Sequence, residues 1–178
     1  MPWNQDLFKR ALDFAARAHG EQKVPGTGAP YVVHVTKVAT EVLWASQTDV
    51  LDVELAMACA LLHDTIEDAG VSRQTLERDF GPEVAQGVAA LTKDDSLPKA
   101  ERMADSLRRI RLEPRAIWAV KLADRITNLE PPPATWSREK RQAYLAEARE
   151  ILKALRGASP ALEGRLADKA QAYEVHCR

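Results

Sequence analysis

The sequence predicts an all-α protein, a single helical bundle. Apolar residues recur at helical spacing in almost every segment. Gly, Pro and Ser punctuate the ends of those segments, and no stretch alternates apolar and polar residues as a half-buried strand does. The chain has 178 residues, of which 46% are hydrophobic, enough for one sizeable core, so one domain over 1–178 is expected.

The elements follow in order. Leu7, Phe8, Ala11, Leu12, Phe14, Ala15 and Ala18 form an apolar stripe that predicts a first helix over 4–19. "GEQKVPGTGAPY" breaks that pattern with Gly and Pro and reads as a loop. Residues 33–46 are helical in pattern despite their β-branched side chains, and 52–67 form the most apolar helix, expected at the centre. "SRQTLERDF" opens on a Ser N-cap and "GPEVAQGVAALT" places Pro at a first helical position. "DDSLPKAERMADSLRRIRL" begins as a loop and becomes a helix. "PRAIWAVKLADRITNLE" is a helix stopped by the prolines at 131–133. "SREKRQAYLAEAREILKALRG" is amphipathic and ends at Gly157, and a weaker helix closes the chain.

The net charge of −1 gives no global reason to expect a nucleic acid or an anionic membrane as partner. No apolar run approaches the ~20 residues that span a bilayer, and the N-terminus lacks a secretory pattern. Cys59 and Cys177 lie far apart, which argues against a disulfide framework and for a reducing, cytoplasmic setting.

The stretch "ALLHDTIEDAG" is the informative one. It sets His63, Asp64, Glu67 and Asp68 at the end of the buried run "VELAMACALL". Unpaired burial of such groups costs several kcal/mol each, so a cation is the natural compensation. On one continuous helix His63 stacks with Glu67 and Asp64 with Asp68, on faces about 100° apart. That spacing lets His63 and Asp64 reach one ion, with Glu67 and Asp68 a turn further on. In "KLADRITN", Lys121, Asp124 and Asn128 form a polar stripe on an otherwise apolar helix, and His34 begins a helix after the Gly/Pro loop. His34, His63, Asp64 and Asp124 together make a mixed nitrogen and oxygen set, suited to manganese, zinc or iron with positions open to water. Such an ion can bring the pKa of water towards ~7, with Glu67 and Asp68 as proton shuttles.

Blander readings exist for each residue alone. A lone His34 is more often a cap, His19 packs near a helix end or supports the site, and Asp124 pairs with a neighbouring Lys or Arg. They do not account for four ionisable groups gathered on a buried helix. Trp44, Trp118 and Trp136 read as core or rim packing.

These motifs resemble the HD-domain phosphohydrolases, and more narrowly the hydrolase domain of RelA/SpoT homologues of the small alarmone hydrolase type, the metazoan SpoT homologues included. "ARAHGEQKVPGTGAPYVVHVTKVA", "ALLHDTIEDAGVSRQTLERDFGPEVAQGVAALTKDDSLPK" and "VKLADRITNL" carry the resemblance, which runs from about residue 4 to about 157. It implies His34, His63, Asp64 and Asp124 as metal ligands, usually for Mn2+, and Glu67 and Asp68 as catalytic carboxylates. It implies Lys23, Lys99, Asn128, Lys140 and Tyr144 as contacts to a small-molecule nucleotide. The implied reaction removes the 3′-pyrophosphate from (p)ppGpp or (p)ppApp and releases pyrophosphate. Relatives acting on NADPH and a non-catalytic alarmone-binding module are the competing expectations. The length leaves no room for a synthetase segment, so hydrolysis is expected to be the only activity in this pathway.

Three departures from the family pattern bear on nucleotide preference. Val35 stands where Pro is usual, Glu130 and the proline run replace an Arg-containing segment, and the loop before Tyr31 is short, with Lys23 its only cation.

Overall fold

The computed structural model describes residues 4–178; residues 1–3 of the expected domain span and of the N-terminal stretch lie outside the described residues. The described chain is helical apart from an isolated antiparallel bridge between Lys23 and Pro30. The first helices are α1 (Gln5–His19), α2 (Val32–Ala45), α3 (Val53–Leu62), α4 (Thr65–Ala69) and α5 (Arg73–Phe80). Then come α6 (Pro82–Leu91), α7 (Arg102–Ile110), α8 (Arg115–Asn128), α9 (Arg138–Ala154) and α10 (Pro160–Tyr173), with a closing 3-10 turn at Glu174–Cys177.

Local chemistry sets the boundaries. Asn4, Asp52, Ser72, Ser137 and Ser159 each accept a backbone N–H of the following turn at the starts of α1, α3, α5, α9 and α10. Pro82 and Pro160 begin α6 and α10, where a missing N–H costs nothing.

Helix α3 is the axis of the molecule. Every residue from Leu55 to Leu62 is buried, and α3 packs against α1, α2, α6 and α8. A helix apolar all round has to sit inside such a ring. Helix α8 lies beside α2 and α3 and is buried over Ala119–Ile126, including Lys121, Asp124 and Arg125. The buried apolar cluster runs from Ala11 in α1 to Tyr173 at the end of α10.

The expected helix over 52–67 is two helices. It breaks at His63 and Asp64, where Asp64 adopts φ −99°, ψ 0°. The break is built from side chains: the His63 Nδ1–H donates to Ala60 O at 2.9 Å and Thr65 Oγ1 donates to Leu62 O at 2.7 Å. Both carbonyls find partners that do not require the helix to continue.

Helix α6 comes close to α3 and α8 at Gly87. A Cβ there would lie 2.5 Å from Ile117 Cδ1 and 2.9 Å from Cys59 Sγ. Gly164 in α10 has open space around it. We expect Gly87→Val to cost about 2 kcal/mol or more by overpacking. Gly164→Ala should gain roughly 0.5–1 kcal/mol from helix propensity. Denaturant unfolding of the two variants checks both signs.

Candidate metal centre

Three helices deliver the centre. His34 sits in the first turn of α2, His63 and Asp64 form the break after α3, and Asp124 lies on the inner face of α8. Donor atoms of His34, His63 and Asp124 fall within 4.8 Å of one another. Asp124 Oδ1 is 3.5 Å from His34 Nε2 and 3.6 Å from His63 Nε2. Asp64 Oδ2 is 3.0 Å from His63 Nε2 and 3.7 Å from His34 Nε2. Both imidazoles are almost fully buried.

These atoms fit a cation better than they fit each other. A carbonyl can only accept, so the bond to Ala60 puts a hydrogen on His63 Nδ1 and, in the neutral ring, a lone pair on Nε2. The Nε2 atoms of His34 and His63 are buried with no hydrogen-bond partner among the described residues, although carboxylate oxygens lie beside both. With Nε2 unprotonated on both imidazoles, four acceptors face one another, which is repulsive unless a proton or a metal ion lies between them. Metal–ligand bonds of ~2.1 Å would place neighbouring donors about 3–3.5 Å apart, close to the separations observed. A divalent metal therefore fits, and these four side chains are the ones that would hold it.

The carboxylates are aimed by a second ring of groups. Tyr31 donates to Asp64 Oδ2 at 2.6 Å. Lys121 Nζ donates to Asp124 Oδ2 at 3.2 Å, and Asn128 Nδ2 donates to Asp124 Oδ1. Burial alone would raise the Asp124 carboxyl, but Lys121 and the two imidazoles override it and hold it well below the carboxylate range. Burial also opposes charge on His63, yet Asp64 and Asp124 outweigh it and push its pKa well above the usual value. Burial and then Asp64 push the Tyr31 phenol up, so it stays a donor.

Glu67 and Asp68 stand outside the cluster of His34, His63, Asp64 and Asp124. The break before α4 turns them toward a cavity of about 170 Å³, shared with Asp64, Asp124, Lys93 and Lys121. Glu67 accepts from the Lys93 backbone N at 3.0 Å and from its Nζ at 3.3 Å. Asp68 accepts from Gln22 Nε2 at 3.0 Å. The uniform helical stacking expected for the four groups is thus replaced by a turn, and the two pairs face different partners.

A second cavity of about 450 Å³ adjoins the centre at His34, Asn128 and Tyr144. Its far wall is the proline run 131–133 with Trp136. Glu130 bonds Lys37 Nζ with both oxygens at 3.0 Å, so the departure from the family pattern forms a rim ion pair. Gly26, at φ +82°, lets the loop between α1 and α2 close on this wall, since a Cβ there would lie 2.7 Å from Pro133 Cγ.

Of the expected nucleotide contacts, Asn128 and Tyr144 line both cavities. Lys140 stands 4.1 Å above the Trp136 ring at the rim. Lys23 and Lys99 are exposed and line neither cavity. Among the tryptophans, Trp118 packs on the core and donates to Glu113 O, whereas Trp136 forms cavity wall. Lys93, Gln22 and Tyr31 were not singled out from the sequence as site groups. Lys93 follows directly on α6 in "LTKDD", and Tyr31 sits three residues before His34, the signals that could have pointed to them.

Comparison with known proteins gives the family. The HD domain family matches residues 11–160. The guanosine-3′,5′-bis(diphosphate) 3′-pyrophosphohydrolase MESH1 of Danio rerio is 37% identical over 90% of both chains. That of Homo sapiens is 34% identical over 86% of this chain and 87% of its own. A solved structure of a metazoan ortholog of SpoT that hydrolyzes ppGpp superposes with a TM-score of 0.85 at 30% identity, covering 97% of this chain and 98% of that one. The chain belongs to the HD-domain family and, within it, to the group that contains these metazoan SpoT homologues.

Proposed function

We propose that this protein is a metal-dependent hydrolase that removes the 3′-pyrophosphate from (p)ppGpp, (p)ppApp or both, working as one domain with Mn2+ as its ion. The observation that carries this reading is the convergence of His34, His63, Asp64 and Asp124 on one point, with Glu67 and Asp68 facing the adjoining small cavity. Relatives named for this reaction support it.

The two cavities divide the substrate. The larger is of nucleoside size and mostly apolar, as small-molecule sites are. The smaller is lined by Lys93, Lys121 and Arg125, which are paired with Glu67, Asp124 and Glu147, and by Asp64 and Asp68 besides; a diphosphate there would take its countercharge from a bound divalent ion together with these cations. When bound, a divalent ion supplies Lewis acidity toward phosphoryl oxygens and acidifies water. Asn128 and Tyr144 stand where the cavities meet and orient the nucleotide across the centre. Water attacks the phosphorus next to the 3′ oxygen, the bond between those two atoms breaks, and pyrophosphate leaves. Glu67 and Asp68 accept the proton of the attacking water and return one to the departing oxygen. No helix among the described residues is long and apolar enough to cross a membrane.

With Mn2+ and guanosine or adenosine tetraphosphate, we expect stoichiometric pyrophosphate, resolved by ion exchange. Orthophosphate release, or no cleavage by metal-loaded protein, would contradict the reading. Asp64→Ala and Asp124→Ala should lose both metal and activity. Glu67→Ala should keep the metal, read by calorimetric Mn2+ titration, and lose about 100-fold or more in kcat, the usual scale for a proton-transfer group. A fully active Glu67→Ala would overturn its assignment.

Removing metal with a chelator should lower the thermal midpoint, because a ligand that binds only the folded state stabilises it. At 100 times its Kd the ion adds about 2.7 kcal/mol. An unchanged midpoint in metal-loaded and stripped protein would contradict a buried site built from three helices.

A further inference from the structure

We infer that Gln22 and His19 are positioning residues for Asp68, acting through a hydrogen-bond chain that runs from the buried end of α1 to the edge of the small cavity. The inference rests on the reading of Asp68 as a proton-transfer group.

Asp68 lies on α4, a helix of only five residues, and its side chain is exposed. A carboxylate in that position samples several rotamers in water unless something holds it. Among the described residues its side chain has one hydrogen-bond partner, Gln22 Nε2, which donates to Oδ2 at 3.0 Å across 46 positions of sequence. That bond leaves Oδ1 for the reacting water.

Gln22 is fixed in turn. Its Oε1 lies 2.8 Å from His19 Nδ1. An amide oxygen can only accept, so His19 donates, and this sets which end of the Gln22 amide faces Asp68. The backbone of Gln22 is tied on both sides: its N–H donates to His19 O at 2.8 Å and its carbonyl accepts from the Tyr31 N–H at 3.0 Å. His19 is 5% exposed and its ring stacks on Tyr31 at 4.6 Å between centroids. Its Nε2 is buried without a hydrogen-bond partner among the described residues. Burying an imidazole with one nitrogen unsatisfied is unfavourable, and the bond to Gln22 is the polar contact its side chain makes. Glu67 is held separately, by Lys93. The two carboxylates therefore have independent anchors, one from the loop after α1 and one from the loop after α6.

The backbone bonds of residue 22 do not depend on its side chain, so Gln22→Leu keeps the loop and removes only the grip on Asp68. We expect kcat to fall about tenfold, the scale of one lost hydrogen bond, with KM for the tetraphosphate and Mn2+ affinity each within about twofold of wild type. His19→Phe keeps the ring stack and should lower kcat in the same direction. The double variant should be no worse than Gln22→Leu alone, because both act through one chain. A kcat within twofold of wild type, a loss confined to KM, or additive losses would each overturn the inference.

Wild-type protein that releases no pyrophosphate would sink the functional reading instead. The chain itself is tested without turnover by the Gln22 side-chain amide signals in a nitrogen–proton NMR spectrum. Asp68→Ala and His19→Phe should each shift that pair of signals. Signals unmoved in both would overturn the inference whatever the enzyme does.

Discussion

The structure depends on holding two carboxylates and two imidazole nitrogens face to face in an almost dry interior. Asp64 and Asp124 on one side and His34 and His63 on the other have lone pairs pointing at a common point. Such an arrangement is repulsive without a cation, and several features of the fold serve to keep it in place. Helix α3 ends at His63 so that the imidazole and the next carboxylate can turn the same way. Lys121 is buried because Asp124 needs a donor on its outer oxygen. Tyr31 is set at the start of α2 with its hydroxyl on Asp64. Removing any one of these leaves a buried charge without its partner, the expensive case for a protein interior.

Around that centre lie two cavities of different character. The larger cavity is bounded by the loop between α1 and α2 on one side and by the proline run on the other, and the two meet where Gly26 lies against Pro133. The prolines limit backbone motion on that wall. The smaller cavity carries nearly all the charge and opens on Glu67 and Asp68. The rim pair of Lys37 and Glu130 is exposed and contributes little to stability. Its effect is on the shape and charge presented to an incoming nucleotide.

Much of this was legible in the sequence, for physical reasons that differ by residue. The helices showed through the spacing of apolar residues, which also gave α9, and the Ser and Pro signals placed the starts of α5 and α6 within a residue or two. His63 and Asp64 stood out because charge at the end of an apolar helix demands compensation. The break between α3 and α4 was hidden, since it rests on His63 and Thr65 bonding carbonyls three residues back, and periodicity continues through it. Gln22 and Lys93 were hidden because their importance is a matter of contact over long sequence distances. The expectation for Lys23 and Lys99 came from resemblance, for Lys99 in a segment of variable length, and here both residues are exposed and line neither cavity.

The central claim is that four side chains from three helices bind one divalent ion. Crystals grown with stoichiometric Mn2+ and measured across the manganese absorption edge test it most directly. The account predicts one strong anomalous peak, within bonding distance of His34 Nε2, His63 Nε2, an Asp64 oxygen and an Asp124 oxygen. A peak bound elsewhere, or no peak in crystals of protein that turns over its nucleotide, would contradict it.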